Sequence, residues 1–548
     1  MSSPDAQYAW LRAFAAEAAA SGLRHVCICP GSRSTPVALA FARQPAFRVW
    51  MHLDERSAAY FALGLAKASR MAAALICSSG TAAANFAPAV IEAYNAGVPL
   101  LVLTADRPPE VRGWGCAQTI DQVHLYGRQV KWFAEAGEYG PEAVARRAVA
   151  TAVAPFAGPV HINIPLREPL LPSASAPPAD AVAEATAMIP ASAPDLAPLP
   201  DVERGLIVLG PLEDPAAARP ITELAAALGW PVAADPLSQA RCGPHHSDVI
   251  LDSYDSYLRD PELASSLTPE LVLRFGGPPT SKVLGEMVRR ARRTILVDPA
   301  WRDPDLQADV IPAEAAAVAR ALFSKRAPGE WLSRWQRADL AARRATRSDR
   351  LTEYAVFPQL ADLLPDGAAL MAGNSMPVRD MDGFLPGMAK TLRIFANRGA
   401  NGIDGVVSTA LGVASATTPA ALVIGDVSFY HDMNGLLAAR RYRPHLLIVV
   451  VQNDGGGIFS YLPQASLDAQ EYERLFGTPH GLDFSHAAAM YDLPHRRVDS
   501  LRAFRAAVTE WLSEGGTHLV EVPSNRARNV EEHRAVWAAA QAAVGRCG

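Results

Sequence analysis

Short, uninterrupted runs of hydrophobic residues alternate along the chain with longer stretches in which apolar and polar positions mix. Uninterrupted apolar runs are typical of strands that are buried on both faces of a parallel sheet. In the longer stretches, apolar residues recur every three or four positions, which is typical of the helices that connect such strands. The pattern therefore predicts an α/β fold of doubly wound parallel sheets.

The predicted elements fall into three α/β units of similar size. The predicted strands of the first unit are His25–Cys29, Val49–Leu53, Ala73–Ser78, Leu100–Ala105 and Val160–Ile164. Those of the second are Leu206–Leu209, Val232–Ala234, Leu271–Phe275 and Thr294–Val297. Those of the third are Ala368–Ala372, Leu392–Ala396, Ala421–Ile424 and Leu446–Gln452. The predicted helices include Glu55–Ala68, Ala82–Ala96, Ala216–Leu228 and Met433–Tyr442.

Composition marks the boundaries between the units. Residues 173–200 are rich in Ala, Pro and Ser, which predicts a linker. Residues 326–352 are charged and helical in pattern, which predicts a connector. The predicted domains are then residues 1–172, 201–325 and 353–548.

Charge and composition exclude several classes of protein. The 548 residues contain 51 Lys and Arg against 56 Asp and Glu, so no broad basic field is available to bind nucleic acid or an anionic membrane. No apolar run is long enough to span a bilayer, and the N-terminal residues lack a signal-peptide pattern, so we expect a cytoplasmic protein. The six cysteines form no C-x-x-C pair, and we expect small core residues in a reducing compartment.

Two polar clusters follow buried strands of the third unit. Gly425-Asp426 ends one predicted strand, and Asn453 begins a glycine-rich turn after the next, 27 residues later. One strand-helix-strand crossover separates them, so both clusters lie at the carboxyl edge of the sheet, where such sheets bind ligands. A carboxylate, an amide oxygen and a backbone carbonyl near Gly455 suit Mg²⁺, and glycines let a diphosphate approach the backbone. Either cluster alone could be an ordinary turn.

This spacing resembles the thiamine diphosphate signature of the decarboxylase and acetolactate synthase superfamily. The resemblance implies a pyrimidine-binding domain (1–172), a central domain (201–325) and a diphosphate-binding domain (353–548). It also implies thiamine diphosphate with Mg²⁺, or alternatively Mn²⁺, and at least a homodimer, commonly a homotetramer. The superfamily requires a glutamate that acts on the pyrimidine ring, and Glu55 fits. Taken alone, Glu55 could equally be a favourable charge at a helix N-terminus.

Three further segments are more specific: PGSRSTPVALA (Pro30–Ala40), TADRPPE (Thr104–Glu110) and NRGANGIDG (Asn397–Gly405). They resemble the synthases of menaquinone biosynthesis within that superfamily, and the likeness covers nearly the whole chain. It is weakest in the linkers and the central unit. The resemblance implies decarboxylation of 2-oxoglutarate followed by 1,4-addition of the succinyl unit to isochorismate.

The resemblance also implies a set of site residues. The implied metal ligands are Asp426, Asn453 and the Gly455 carbonyl. The implied cofactor-binding residues are Pro30, Glu55, Gly80, Ser375, Ile403, Gly425, Asp426, Val427, Ser428, Asn453, Gly455, Gly456, Ile458 and Phe459. The implied substrate-binding residues are Ser32, Arg33, Arg107, Gln118, Lys282, Arg379, Arg398, Phe459 and Leu462, of which Phe459 and Leu462 belong to a flap. Both substrates carry two carboxylates, which arginine binds in bidentate fashion, although a single arginine is most often a solvated surface residue.

The chain also departs from the family pattern. Ala117 stands where asparagine is expected, Val283 follows Lys282 where a second basic residue is expected, and Val427 replaces the second glycine of the superfamily motif. Three alternatives stay open. They are another thiamine diphosphate lyase such as an acetolactate synthase, a non-catalytic relative, and a nucleotide-binding regulator, although the chain lacks a G-x-x-x-x-G-K-[ST] motif.

Overall fold

The computed structural model describes residues 3–137, 139–182, 196, 198–325 and 329–547. These residues form three six-stranded sheets in which every strand pair is parallel, and the predicted α/β class is confirmed. The chain divides into two compact units. Unit 1 comprises Met1–Pro190, Asn397–Thr417 and Tyr430–Pro444, and unit 2 comprises Ala191–Ala396, Thr418–Phe429 and His445–Gly548.

The first sheet lies in unit 1, and its strand order is β2-β1-β3-β4-β6-β5. Its strands are β1 (His25–Ile28), β2 (Arg48–Met51), β3 (Ala73–Cys77), β4 (Leu100–Asp106), β5 (Phe133–Glu135) and β6 (Pro159–Pro165). Its helices are α1 (Pro4–Ala20), α2 (Thr35–Ala42), α3 (Glu55–Ser69), α4 (Thr81–Asn85), α5 (Ala87–Ala96) and α6 (Pro141–Val153). The single helix predicted over Ala82–Ala96 is wrong, because Pro88 has no N–H to continue the ladder and the helix breaks at Phe86.

The second sheet lies in unit 2, in the order β12-β11-β10-β7-β8-β9. Its strands are β7 (Gly205–Leu209), β8 (Val232–Ala234), β9 (Ile250–Leu251), β10 (Leu271–Phe275), β11 (Arg293–Val297) and β12 (Asp309–Ile311). The helices in this part of the chain are α7 (Ala218–Leu228), α8 (Tyr254–Tyr257), α9 (Pro261–Ser266), α10 (Lys282–Arg290) and α11 (Ala315–Ala321). A 3₁₀ turn, Pro215–Ala217, replaces the start of the helix predicted at Ala216.

The third sheet, also in unit 2, has the order β14-β13-β15-β16-β18-β17, which repeats the order of the first sheet. Its strands are β13 (Ala368–Ala372), β14 (Leu392–Phe395), β15 (Ala420–Gly425), β16 (Leu446–Gln452), β17 (His495–Arg497) and β18 (Thr517–Pro523). The helices of the remaining chain are α12 (Glu330–Ala345), α13 (Val356–Leu363), α14 (Met376–Phe384), α15 (Val406–Ala416), α16 (Asp426–His431), α17 (Leu436–Tyr442), α18 (Ala469–Tyr472), α19 (Ser485–Met490), α20 (Leu501–Glu514) and α21 (Arg526–Gly545). The helix predicted over Met433–Tyr442 begins as a 3₁₀ turn, Met433–Gly435.

The boundaries between the predicted domains stay predictions. Within the predicted linker, residues 183–195 and 197 lie outside the described residues, as do 326–328 of the connector. The helical pattern of the connector corresponds to α12. Among the described residues, no helix is long and apolar enough to cross a membrane.

The cysteine prediction is wrong in part. Cys27, Cys29, Cys77 and Cys242 are buried, but Cys116 and Cys547 are exposed. Cys116 lies in an exposed loop, directly after the segment Gly113-Trp114-Gly115. Cys547 follows the last helix. Neither position has the apolar neighbours in sequence that a core residue would have.

Helices α3 and α15 cross in unit 1 with their backbones in close contact at two glycines. A Cβ atom at Gly64 would lie 2.0 Å from the carbonyl oxygen of Thr409, and one at Gly412 would lie 2.1 Å from that of Phe61. Backbone atoms of packed helices cannot move aside as a side chain can. The two glycines are therefore required by the crossing.

We expect Gly64→Ala to lower the free energy of unfolding by about 3 kcal/mol, because the added methyl group forces the two helices apart. Urea denaturation followed by circular dichroism measures the change. Gly383→Ala is the matched control, because a Cβ at that helical glycine meets nothing within 4 Å. Equal midpoints for the two variants would contradict the close crossing.

Asp432 is fully buried beside the first turn of α15. Its carboxylate accepts the backbone N–H of Ser408 at 2.7 Å and the hydroxyl of Ser408 at 3.1 Å. Burial raises the pKa of Asp432 to about 7, whereas an aspartate in an unfolded chain titrates at about 3.9. The folded state therefore binds this proton more tightly than the unfolded state does.

The sign of the pH dependence follows from that difference. Between about pH 4 and pH 7 the unfolded state has released the proton that the folded state keeps, so the free energy of unfolding falls as the pH rises. We expect Asp432→Asn, which is neutral throughout, to flatten this slope in urea denaturation series from pH 5 to pH 7.5. If the free energy of unfolding fell with pH equally in the variant and the wild type, Asp432 would not be the cause of the pH dependence.

Candidate active site

Several of the predicted cofactor residues lie where the strand order reverses in the first and third sheets. In the first sheet, the chain leaves β1 for β2 on one side and then crosses to β3 on the other. Pro30 follows β1 and Gly80 follows β3 at this point. In the third sheet, Ser375 follows β13 and Asp426 follows β15 at the equivalent point. Such switch points form the crevices in which doubly wound sheets bind ligands.

Asp426 and Asn453 are neighbours in unit 2, since β15 and β16 pair in parallel with Gly425 opposite Val451. The Asp426 carboxylate is 1% exposed and accepts three backbone N–H groups. Its Oδ2 accepts those of Asn453 at 3.0 Å and Gly455 at 3.1 Å, and its Oδ1 accepts that of Val427 at 2.7 Å. Burial raises the pKa of the Asp426 carboxyl, although these N–H donors oppose the shift.

The Asn453 amide has its oxygen available for a cation. Its Oδ1 is buried and has no hydrogen-bond partner among the described residues. Its Nδ2 donates to Glu353 Oε1 at 3.4 Å, and that oxygen also accepts the hydroxyl of Ser524 at 2.6 Å. A buried oxygen without a partner is costly unless a ligand satisfies it. The donor set of carboxylate, amide and backbone carbonyl oxygens fits a hard divalent cation.

The glycines that follow β15 and β16 are explained by two different structural features. A Cβ at Gly425 would meet nothing within 4 Å, so the backbone there is open to a ligand. A Cβ at Gly455 would lie 1.9 Å from the carbonyl oxygen of Gly477, and one at Gly456 would lie 2.3 Å from that of Phe476. Gly455 and Gly456 are therefore required by packing against residues 476–477, a reason that the sequence did not suggest.

The remaining residues of the two clusters lie near these glycines. Val427 is half-buried and Ser428 buried in the first turn of α16. Ile458 and Phe459 are half-buried in the 3₁₀ turn Gly457–Tyr461, which together with Leu462 makes up the segment predicted to be the flap. Phe459 packs on Phe476 with ring centroids 5.4 Å apart, and Leu462 is exposed.

Glu55 is the first residue of α3 and is half-buried. The preceding residue, Asp54, caps the helix by accepting the Ser57 N–H at 3.1 Å. Within the described part of the chain, no hydrogen bond engages the Glu55 carboxylate. Helix capping is thus performed by Asp54, and the Glu55 carboxylate is free to contact a ligand.

Two predicted substrate arginines, Arg33 and Arg107, are close together in unit 1. Burial and the nearby charge of Arg107 lower the pKa of Arg33. Arg33 donates to the Leu166 carbonyl at 2.9 Å and to Glu168 at 2.8 Å, while its Nε is buried without a partner among the described residues. Two neighbouring guanidinium groups favour the binding of an anion.

The loop that carries Arg107 and Gln118 is closed by its own contacts. Arg107 Nη2 donates to the Ala117 carbonyl at 3.0 Å, so the departure from asparagine at position 117 leaves this backbone contact intact. Gln118 is exposed and has a positive φ of 53°. The buried Gln122 accepts the Gly80 N–H at 2.9 Å and thereby ties this loop to the end of β3.

Arg398 and Ile403 lie on a loop of unit 1 that is held by α5. Glu92 is buried, and its carboxylate accepts the N–H groups of Gly399 at 2.8 Å and Ala400 at 2.6 Å. Arg398 and Ile403 are half-buried. No sequence motif indicates Glu92, because it lies far from this loop along the chain.

The other predicted substrate residues are spread over both units. Ser32 is exposed in the turn after β1. In unit 2, Ser375 precedes α14 with a φ of 72°, a strained conformation of the kind that functional sites retain. Arg379 donates to the Ser375 carbonyl and is exposed, and Lys282 is exposed at the start of α10.

His480, whose Nε2 lies 3.4 Å from Asp426, was missed because it belongs to no recognised motif.

Three family models match the chain in sequence order. They are "Thiamine pyrophosphate enzyme, N-terminal TPP binding domain" over residues 11–125, "Middle domain of thiamine pyrophosphate" over 187–372, and "Thiamine pyrophosphate enzyme, C-terminal TPP binding domain" over 385–522. Thiamine pyrophosphate is another name for thiamine diphosphate. A solved structure of benzoylformate decarboxylase from Polynucleobacter necessarius has the same fold, with a TM-score of 0.71 and 20% identity over 94% of this chain and 98% of that one. Fold and site together define the class of thiamine pyrophosphate-dependent α/β enzymes.

Relatives with much higher identity narrow this class. A protein of Geobacillus kaustophilus strain HTA426 is 48% identical over 96% of this chain and 97% of its own length. One from Chloroflexus aurantiacus is 45% identical over 98% of this chain and 97% of its own length. Both bear the name 2-succinyl-5-enolpyruvyl-6-hydroxy-3-cyclohexene-1-carboxylate synthase. The chain belongs to this synthase family.

Proposed function

We propose that the protein decarboxylates 2-oxoglutarate and adds the succinyl unit in a 1,4 sense to isochorismate. The products are 2-succinyl-5-enolpyruvyl-6-hydroxy-3-cyclohexene-1-carboxylate and CO₂, in menaquinone biosynthesis. The observation that carries this proposal is the identity of 41 to 48% to synthases of that name over nearly the full chain. The activity is a transferase reaction.

We infer that Asp426, Asn453 and the Gly455 carbonyl bind Mg²⁺, or alternatively Mn²⁺, together with the cofactor diphosphate. The unsatisfied Asn453 Oδ1 supports this inference, since a buried amide oxygen requires a partner. The open backbone at Gly425 supports the approach of the diphosphate. The backbone N–H groups that the Asp426 carboxylate accepts keep it in a fixed orientation.

When bound, thiamine diphosphate supplies the carbon nucleophile and the electron sink that decarboxylation needs. The protein supplies orientation and proton transfer. Glu55 would contact the pyrimidine ring and exchange a proton with it through its carboxyl group, which lies at the start of α3. Ile403 and Phe459 supply apolar surface that excludes water from the reacting atoms.

The substrate carboxylates are assigned to the arginines of the distinctive loops. Arg33 and Arg107 supply two adjacent positive charges, and Arg379 and Arg398 supply one each in their own loops. Ser32, Gln118, Ser375 and Lys282 are proposed as further polar contacts. A pyruvate-specific site would not need so many cations, which favours the dicarboxylic substrates over those of an acetolactate synthase.

We further propose at least a homodimer, with a homotetramer as the larger assembly, in the cytoplasm. In the superfamily, the first domain of one subunit and the third domain of its partner share each cofactor. The location is supported by the six cysteines, all of which are free thiols, since cytoplasmic proteins keep their cysteines reduced.

The test is an assay of the purified protein with thiamine diphosphate, Mg²⁺, 2-oxoglutarate and isochorismate. Loss of isochorismate and the mass of the adduct are followed together. We expect an adduct that forms only when both substrates are present. Release of CO₂ from 2-oxoglutarate without an adduct would contradict the isochorismate assignment, and turnover of pyruvate alone would favour the acetolactate synthase alternative.

A further inference from the structure

His533 on α21 is a buried titratable side chain that is not among the proposed site residues. It is 1% exposed. Aromatic rings surround it, with centroid distances of 5.2 Å to Tyr354, 5.6 Å to Tyr461 and 5.5 Å to Trp537. A buried imidazole in such surroundings requires hydrogen-bond partners for both nitrogens.

Both nitrogens of His533 have partners on elements that the proposed reaction uses. Nε2 lies 2.9 Å from Asp380 Oδ1 on α14, and Asp380 follows the substrate residue Arg379. Nδ1 lies 3.0 Å from the hydroxyl of Tyr461 and 2.9 Å from the Asn529 carbonyl. Tyr461 belongs to the flap, between Phe459 and Leu462. One side chain thus links the flap to the Arg379 helix.

The contact between His533 and Tyr461 is compatible with both protonation states of the ring. The Asp380 carboxylate is an acceptor, so Nε2 carries a hydrogen and donates it. In the neutral ring, Nδ1 accepts the Tyr461 hydroxyl; in the charged ring, Nδ1 donates to the Asn529 carbonyl or to the Tyr461 oxygen. Burial opposes the charge, but the Asp380 carboxylate, the Asn529 carbonyl and Glu353 together raise the pKa of His533.

The flap has other contacts besides the one to His533, including Tyr461 against Trp537 of α21 with ring centroids 6.3 Å apart. The Ser460 hydroxyl lies 2.8 Å from the Tyr472 hydroxyl, and Phe459 packs on Phe476. Both of these partners lie on the neighbouring surface segment that contains α18 and the π turn Glu473–Gly477. The contact of the Tyr461 hydroxyl reaches a buried polar group, His533. His533 therefore connects the flap to α14 through the Tyr461 hydroxyl and the Asp380 carboxylate.

We propose that His533 is a positioning residue that holds the flap against the Arg379 helix, so that the succinyl unit is retained for isochorismate. This inference rests on the proposed function. Where the flap is displaced, water reaches the decarboxylated unit and a proton takes the place of the lost carboxylate. 2-Oxoglutarate is then converted to CO₂ and succinic semialdehyde, with no adduct formed.

Two variants test the contact from its two sides. Tyr461→Phe removes one hydroxyl and keeps the ring, and His533→Gln keeps a donor for Asp380 but is too short to reach Tyr461 in the same way. For both, we expect the ratio of succinic semialdehyde to adduct to rise about tenfold and the KM for isochorismate to increase. The rate of CO₂ release from 2-oxoglutarate should change by less than about twofold. The double variant should show no further change, because both substitutions remove the same contact.

The control is His518→Gln, a second buried histidine in unit 2, which pairs with Glu514 and lies at the amino end of β18 opposite Leu447, whereas the flap follows the carboxyl end of β16. It should leave the product ratio unchanged, which separates positioning from a general loss of stability. The affinity for thiamine diphosphate, measured by calorimetry, should be unchanged in all variants. An unchanged product ratio in Tyr461→Phe and His533→Gln, with a wild type that forms adduct, would overturn the role of His533. A wild type that forms no adduct would overturn the proposed function itself and, with it, this inference.

Discussion

Glu55→Gln is expected to lower kcat by two to four orders of magnitude, roughly the contribution of a positioned proton-transfer group. Glutamine has nearly the same shape but no exchangeable carboxyl proton, so the pyrimidine ring loses its proton partner. The stability of the variant should equal that of the wild type, because Asp54 rather than Glu55 caps α3. Adduct formation and CO₂ release, measured in the same reaction, should fall together.

Asp54→Asn is an informative control for that result. Asp54 is the neighbouring carboxylate, it accepts the Ser57 N–H, and its Oδ2 accepts the side chain of Asn434 at 3.2 Å. Asparagine caps a helix about as well as aspartate, so we expect stability to change little and kcat to change far less than in Glu55→Gln. If the two variants retained equal activity, Glu55 would be only a favourable charge at a helix N-terminus.

Asp426→Asn is expected to weaken the binding of Mn²⁺ in the presence of thiamine diphosphate by about 100-fold or more. The substitution removes a charged ligand. In the wild type, the N–H groups of Asn453 and Gly455 donate to the Asp426 carboxylate, and the substitution places an amide donor next to them. Titration of free Mn²⁺ by electron paramagnetic resonance measures the affinity without reference to catalysis.

Glu521→Gln supplies the matched control, since Glu521 is also a buried carboxylate of unit 2 but pairs with Arg497 at 3.0 Å on the edge strand β17. Its Mn²⁺ affinity should equal that of the wild type. Equal affinities for Asp426→Asn and the wild type would exclude Asp426 as a ligand.

A mixture of the two inactive proteins tests the proposed homodimer. If each cofactor is shared by the first domain of one subunit and the third of its partner, a heterodimer of Glu55→Gln and Asp426→Asn has one site with both changes and one site with neither. Activity should then return after the subunits are exchanged. No recovery, in a mixture shown to contain heterodimers, would indicate that each site is formed by a single subunit.

Most central strands could be predicted because they are buried on both faces and read as uninterrupted apolar runs. β3, β4 and β16 are examples, and the observed ends differ from the predicted ends by no more than a residue or so. The exception is β18, a central and buried strand that was not predicted, since His518 and Glu521 interrupt its apolar run. Of the six edge strands in the three described sheets, β2 and β14 were predicted, whereas β5, β9, β12 and β17 were not. β5 has only three residues and β17 reads His-Arg-Arg, because one side of an edge strand faces away from the core.

The proximity of Asp426 and Asn453 could be predicted since they are close along the chain and one crossover brings them together; metal binding there stays a proposal. What could not be predicted is the set of side chains that orient them. Glu353, Glu92 and His533 each contact a loop that is more than 70 residues away along the chain, at separations of 100, 307 and 72 residues. Contacts over such separations depend on tertiary packing, which leaves no periodicity or spacing in the sequence.

The close crossing of α3 and α15 has a consequence for biosynthesis of the protein. A ribosome completes the first sheet long before it reaches residues 406–416, and the whole second sheet is translated in between. During that interval the nascent chain carries the Gly64 face of α3 without the helix that covers it. Unit 1 therefore cannot finish folding as it emerges, and a polypeptide released before α15 would expose this apolar face and be prone to aggregate.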